Sequence, residues 1–184
     1  MDWYTILKFL HVATSTVWVG GGFLLALVAI RAERADDREA MLVNMRNTGA
    51  LGNLVFVPSA LLTLVFGLLM CWFWLGFSDL WILIGLAGYA TTFAIGAGIM
   101  KPTSDRLAAI VEKEGMNAPA LAIGRRMLQI AKFDYTVMLV IVAAMVLKPT
   151  LNDIVIIGAM SAVLVAGAVL FLIPRSEPAL PEAA

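Results

Sequence analysis

His11 is the chain's only histidine, and the residues at three- and four-residue steps around it are Lys8, Ser15, Trp18 and Gly22. On a helix that spacing puts a cation, an imidazole, a hydroxyl and an indole on one face. Imidazole is an axial ligand for haem iron and a ligand for copper, and thioethers serve haem or Cu(I). The helix order given below puts Met70 and Met145 at the depth of His11, together with Cys71 and Trp81. His11, Met70 and Met145 are therefore the candidate metal ligands. His11, Lys8 and Trp18 are the candidate cofactor-binding residues, with haem b or copper as the cofactor. Two other roles are open to His11: a neutral imidazole hydrogen-bonded across helices, and a proton relay. Lys8 reads either as a charge that tunes the histidine or as an anchor whose ammonium reaches the interface. The lone cysteine, Cys71, excludes an internal disulfide and a cysteine-cluster metal site. The Gly20-Gly21-Gly22 run does not follow a strand, so it reads as a close-packing site and not as a phosphate loop.

These side chains need a scaffold, and composition names it. Apolar residues make up 61% of the chain and charged residues 14%, far from the balance of a water-soluble domain. A hydrocarbon core about 30 Å thick takes about 20 apolar residues of helix. Five runs qualify or nearly qualify: about 3–30, 49–77, 80–100, 133–147 and 154–173. The first is too long for a signal-peptide core and ends in IRAERADDRE, so it reads as a permanent span. Pro58 should kink the second. Lys101-Pro102 should end the third, whose Gly85, Gly88, Gly96 and Gly98 suggest a packed central helix. The polar stretch 31–47 must lie outside the hydrocarbon.

Residues 103–132 form a helical connection, with Thr103 or Ser104 as a candidate N-cap, a stop at Gly115 and a new start near Asn117 and Pro119. The fourth span is short unless that second helix runs on into it. On the fifth, Gly158, Ala162 and Ala166 recur every four residues, a pattern that favours helix contact. The expectation is one all-α transmembrane bundle over 1–175, with a disordered tail at 176–184.

Five spans put Arg31, Arg34, Arg38, Arg46, Lys101, Arg106, Lys113, Arg125, Arg126, Lys132 and Arg175 on one side, leaving Lys8 and Lys148 toward the other. The positive-inside rule then sets the N-terminus outside and the C-terminus in the cytoplasm. Arg125, Arg126, Lys132, Asp134 and Tyr135 surround a membrane entry point, and the three basic residues read as a lipid or head-group site. Net charge is zero and the basic residues are dispersed, which gives no case for nucleic acid as a partner. The expected partners are the lipid bilayer and a second copy of the chain or another membrane protein.

The segment KFLHVATSTVWVGGG, from Lys8 to Gly22, resembles the opening helix of a group of bacterial membrane families. They are the copper-resistance D proteins, the membrane-bound protoporphyrinogen oxidase that carries haem b, and a family of predicted integral membrane proteins of unknown function. In these the helix reads approximately Lys-x-x-His followed by Trp-x-Gly, matching Lys8, His11, Trp18 and Gly20. The KPT and AKFDYTVMLVIVAAMVLKP segments and the five-span length are most similar to the last of the three. The resemblance implies a bacterial inner-membrane protein with a haem- or metal-capable helix at His11. The Pro-Arg-Leu element of the oxidase is missing, and one histidine rules out bis-histidine haem within one chain. Three functions follow: a redox role at His11, a non-catalytic structural or accessory subunit, and transport of a small ion or metabolite. The transport reading has only a thin polar pathway and no inverted repeat behind it.

Overall fold

The computed structural model describes residues 2–173, and every regular element in it is helical. Five helices are long and apolar enough to cross a membrane: α1 Trp3–Arg34, α2 Arg38–Leu75, α3 Leu80–Glu114, α4 Ala118–Leu147 and α5 Ile154–Leu172. The chain is a multi-pass integral membrane protein. The tail expected to be disordered at 176–184, and Arg175, lie outside the described residues.

The helices start and stop where short-range chemistry dictates. Asp2, Asp37 and Asn117 each accept a main-chain N–H of the first turn they precede, at 3.2, 2.9 and 2.9 Å. Gly76 and Gly115 take φ of +78° and +70°, the left-handed region in which glycine ends a helix without a Cβ penalty. Lys148, at φ +47°, ends α4, and the turn after it is held by Asp153, whose Oδ2 accepts from the Thr150 N–H and hydroxyl at 2.8 Å each.

Three helices run further than their apolar stretches. Residues 38–51, which take in much of the polar stretch 31–47, form the first turns of α2, and residues 101–114 continue α3 through Pro102. Thr103 and Ser104 are therefore inside a helix and cap nothing. The reason is a pair of π-turns at Gly52–Phe56 and Gly96–Met100. A proline ring collides with the carbonyl four residues back, here Leu54 for Pro58 and Gly98 for Pro102. Both carbonyls lie inside the widened turn, so the helix absorbs the proline and goes on. α4 likewise begins at Ala118 and runs 30 residues. At 1.5 Å per residue that is roughly 45 Å, which removes the apparent shortness of the fourth span.

α4 is the hub of the bundle. It packs against α1, α3 and α5, while α1 packs along α2. The third span, expected to be central on account of its glycines, instead flanks α4. A Cβ at Gly85 would collide with the Met145 methyl, and one at Gly88 with Ile141. Gly96 and Gly98 face nothing within 4 Å. The buried cluster is small: Val140, Ala144 and Met160, with Ile84, Ile156 and Leu164 against it. Large apolar side chains point outward instead, Leu24 at 62% exposure and Val155 at 85%. Lipid tails are as apolar as leucine, so nothing drives such residues inward, and close contact between small residues holds the helices together.

Candidate functional site

Two cavities lie at opposite ends of the bundle and share no lining residue. The larger, about 470 Å³, is lined by His11, Trp18, Met70, Cys71, Trp81 and Met145 among others. The residues expected at one depth, from four different helices, thus converge on one space. Of the first-helix face, His11, Ser15 and Trp18 line it. Lys8 does not: it is exposed, one turn nearer the helix start. Gly22 is buried on the same face but belongs to the other cavity.

A specific device orients His11. Its Nδ1 lies 2.8 Å from the main-chain oxygen of Thr63 on α2, so Nδ1–H donates and Nε2 carries the free lone pair. That carbonyl can be reached because residue 67, one turn on, is glycine: a Cβ there would stand 3.0 Å from His11 Cε1 and 3.2 Å from Nδ1. Beneath the ring, the Thr63 and Thr14 hydroxyl oxygens are 3.0 Å apart, and each is also 2.8 Å from the carbonyl four residues before it, Ser59 and Leu10. Further in, Trp18 meets Tyr89 edge to face at 5.5 Å. The Tyr89 hydroxyl, on a residue that lines the cavity, is buried without a partner.

The donor set is one imidazole, a thiol and three thioethers, Met138 joining Met70 and Met145. Among the described residues no three His, Cys, Asp or Glu side chains are placed to share a metal ion, so any metal here would rest on His11 with sulfur. Among the described residues no lysine or arginine lines this cavity. Haem would find an axial imidazole and a thioether there but no cation for its propionates, whereas imidazole and thioether are both ligand types that suit copper.

At the other end, Arg125, Arg126 and Lys132 do not form one cluster. Arg125 lines the smaller cavity, about 240 Å³. Arg126 Nη1 donates to the Leu172 carbonyl at 3.1 Å and caps α5. Lys132 Nζ lies 3.8 Å from Glu33 on α1, a half-buried pair. Asp134 and Tyr135, expected beside Arg125 at the membrane entry point, do line that cavity, and sequence reasoning missed Asn44; Asn44 and Asp134 each carry a buried side-chain oxygen that has no partner. Nothing in the polar stretch around Asn44 singles it out.

Helix number and outward apolar surface among the described residues define a five-helix integral membrane protein. The chain belongs to the family of predicted integral membrane proteins DUF2269, whose family model matches residues 5–149. The match takes in α1–α4 and both cavities' principal polar residues, and it ends before α5. Comparison with curated proteins and with solved structures finds no match.

Proposed function

We propose that the protein binds copper(I) within the membrane, with Nε2 of His11 and the thioethers of Met70 and Met145 as ligands. The observation that carries this reading is the Nδ1–H···O=C contact to Thr63. Metal-ligating histidines use such a contact to fix tautomer and ring direction, leaving the other nitrogen for the metal. The similarity of Lys8-x-x-His11 and Trp18-x-Gly20 to the copper-resistance D and haem-b oxidase helices supports the same residue. Bound copper would supply one-electron redox capacity at that depth. Haem b fits the imidazole and fails on its propionates, so copper is the preferred cofactor.

The test is metal analysis and an absorption spectrum of protein solubilised gently from copper- and haem-replete cells. Stoichiometric copper lost in His11→Ala supports the reading. A Soret band in its place would move the assignment to haem. Metal-free, colourless protein leaves His11 as a cross-helix hydrogen bond only and overturns it.

We also propose that the N-terminus and the turns at 76–79 and 148–153 face outside, in a bacterial inner membrane, because arginine and lysine gather at the opposite end of the bundle. A second reading, an accessory or self-associating subunit, is favoured by one observation. Gly158, Ala162 and Ala166 are all exposed on α5, while Gly167 turns its open face to Thr136 of α4. Gly158→Leu would leave the monomer intact and abolish any assembly seen on native gels. Unchanged assembly would remove this reading.

A further inference from the structure

We propose that the smaller cavity binds a primary ammonium group carried on a hydrocarbon body. Two residues that line this space, Asp134 of α4 and Asn44 of α2, each carry a buried side-chain oxygen, Oδ1, without a hydrogen-bond partner. Buried polar atoms in native proteins are nearly always satisfied, so two orphans on one cavity imply an occupant that donates hydrogen bonds. Both orphans are acceptors, which calls for N–H or O–H and excludes an anion. The carboxyl selects positive charge. The only other carboxylate in the lining among the described residues, Glu33, is already paired with Lys132.

The remaining wall is apolar and yielding. Met41, Met45 and Met127 line it with Leu25, Leu121 and Leu128. Unbranched thioether side chains repack around hydrocarbon of varied shape. Arg125 is exposed at the same cavity and makes no ion pair among the described residues, so an anionic group next to the ammonium would find a partner there. That combination is met by the head of an aminophospholipid, while a free alkylamine offers the ammonium alone.

The experiment uses the full chain in phosphatidylcholine nanodiscs, with hexylamine as probe and hexyltrimethylammonium as a control of equal charge that has no N–H. Saturable hexylamine binding by calorimetry is expected, with the control at least tenfold weaker. Asp134→Asn should weaken hexylamine at least tenfold, Asn44→Leu should weaken it several-fold, and His11→Ala should leave it unchanged. The last variant separates this site from the proposed copper site. Asn44→Leu keeps the test open if Asp134→Asn does not fold. Replacing part of the lipid with phosphatidylethanolamine identifies the source: competition with hexylamine points to the lipid head, and no competition to a free amine. Equal binding of the methylated control, wild-type binding by Asp134→Asn, or no saturable binding would overturn the proposal and leave the cavity to water.

Discussion

Replacing Gly67 with alanine tests the reading of His11 more sharply than removing the histidine does. The new Cβ would lie 3.0 Å from His11 Cε1 and 3.2 Å from Nδ1, and ordinary contact begins at 3.4 Å. The ring must therefore retreat by a few tenths of an ångström, away from the Thr63 carbonyl that Nδ1 now meets at 2.8 Å. A hydrogen bond between membrane helices contributes about 0.6 kcal/mol on average. Exchanging glycine for alanine within a helix returns up to about 1 kcal/mol. The two nearly cancel, so unfolding stability in detergent should stay within about 1 kcal/mol of wild type, the scale of either effect alone. Cu(I) affinity, measured anaerobically against a chromophoric chelator, should instead fall about 10- to 100-fold, the usual cost of losing a group that orients a metal ligand. Gly49→Ala is the control, since its Cβ meets nothing within 4 Å, and it should leave affinity unchanged. Wild-type copper affinity in Gly67→Ala, with the Nδ1 proton resonance shifted to show the ring has moved, would refute the claim that Thr63 aims the imidazole.

Three further outcomes follow from the packing and the loops. A Cβ on Gly22 would collide with the Tyr135 hydroxyl while its ring carbons stand at 3.3 and 3.4 Å. Gly22→Ala should therefore cost about 1–3 kcal/mol as overpacking, and Tyr135→Phe in the same chain should restore most of it in thermal unfolding. Additive losses would place the clash elsewhere. The Asp153 carboxyl is held below the usual carboxylate range, first by the Thr150 main-chain N–H and then by the Thr150 hydroxyl. A lowered pKa in the folded state stabilises at pH above the unfolded carboxylate value, and the contribution fades as pH falls through the lowered one. Melting temperature across an acid series should show that loss in wild type, and the loss should be absent in Asp153→Asn. For topology, Asp2→Cys and Lys113→Cys in a Cys71→Ser chain should react with an impermeant maleimide from outside and only after permeabilisation, respectively. The reverse pattern would invert the proposed orientation.

The parts of this molecule legible in its sequence are those set by short-range chemistry and by gross hydropathy. The five spans, the stop at Gly115, the start at Asn117 and the common depth of His11, Met70 and Met145 need only helical rise and the residues at hand. Proline was misleading, because whether Pro102 ends a helix or rides on it depends on a π-turn that frees the Gly98 carbonyl, and residue type does not announce such a turn. Lys8 shares the sequence spacing of His11 but is exposed and lines neither cavity, and a helical wheel does not show which positions of a face meet a neighbour. The glycines carry the rest of the argument. Gly67 is the one glycine in LLTLVFGLLM, and its meaning appears only when α1 brings an imidazole against it from 56 positions away. Gly22 and Gly85 are likewise openings shaped for Tyr135 and Met145. In a bilayer the missing side chains do what large apolar ones do in water: they decide which helices touch, and how near a polar group on one can come to the backbone of the next.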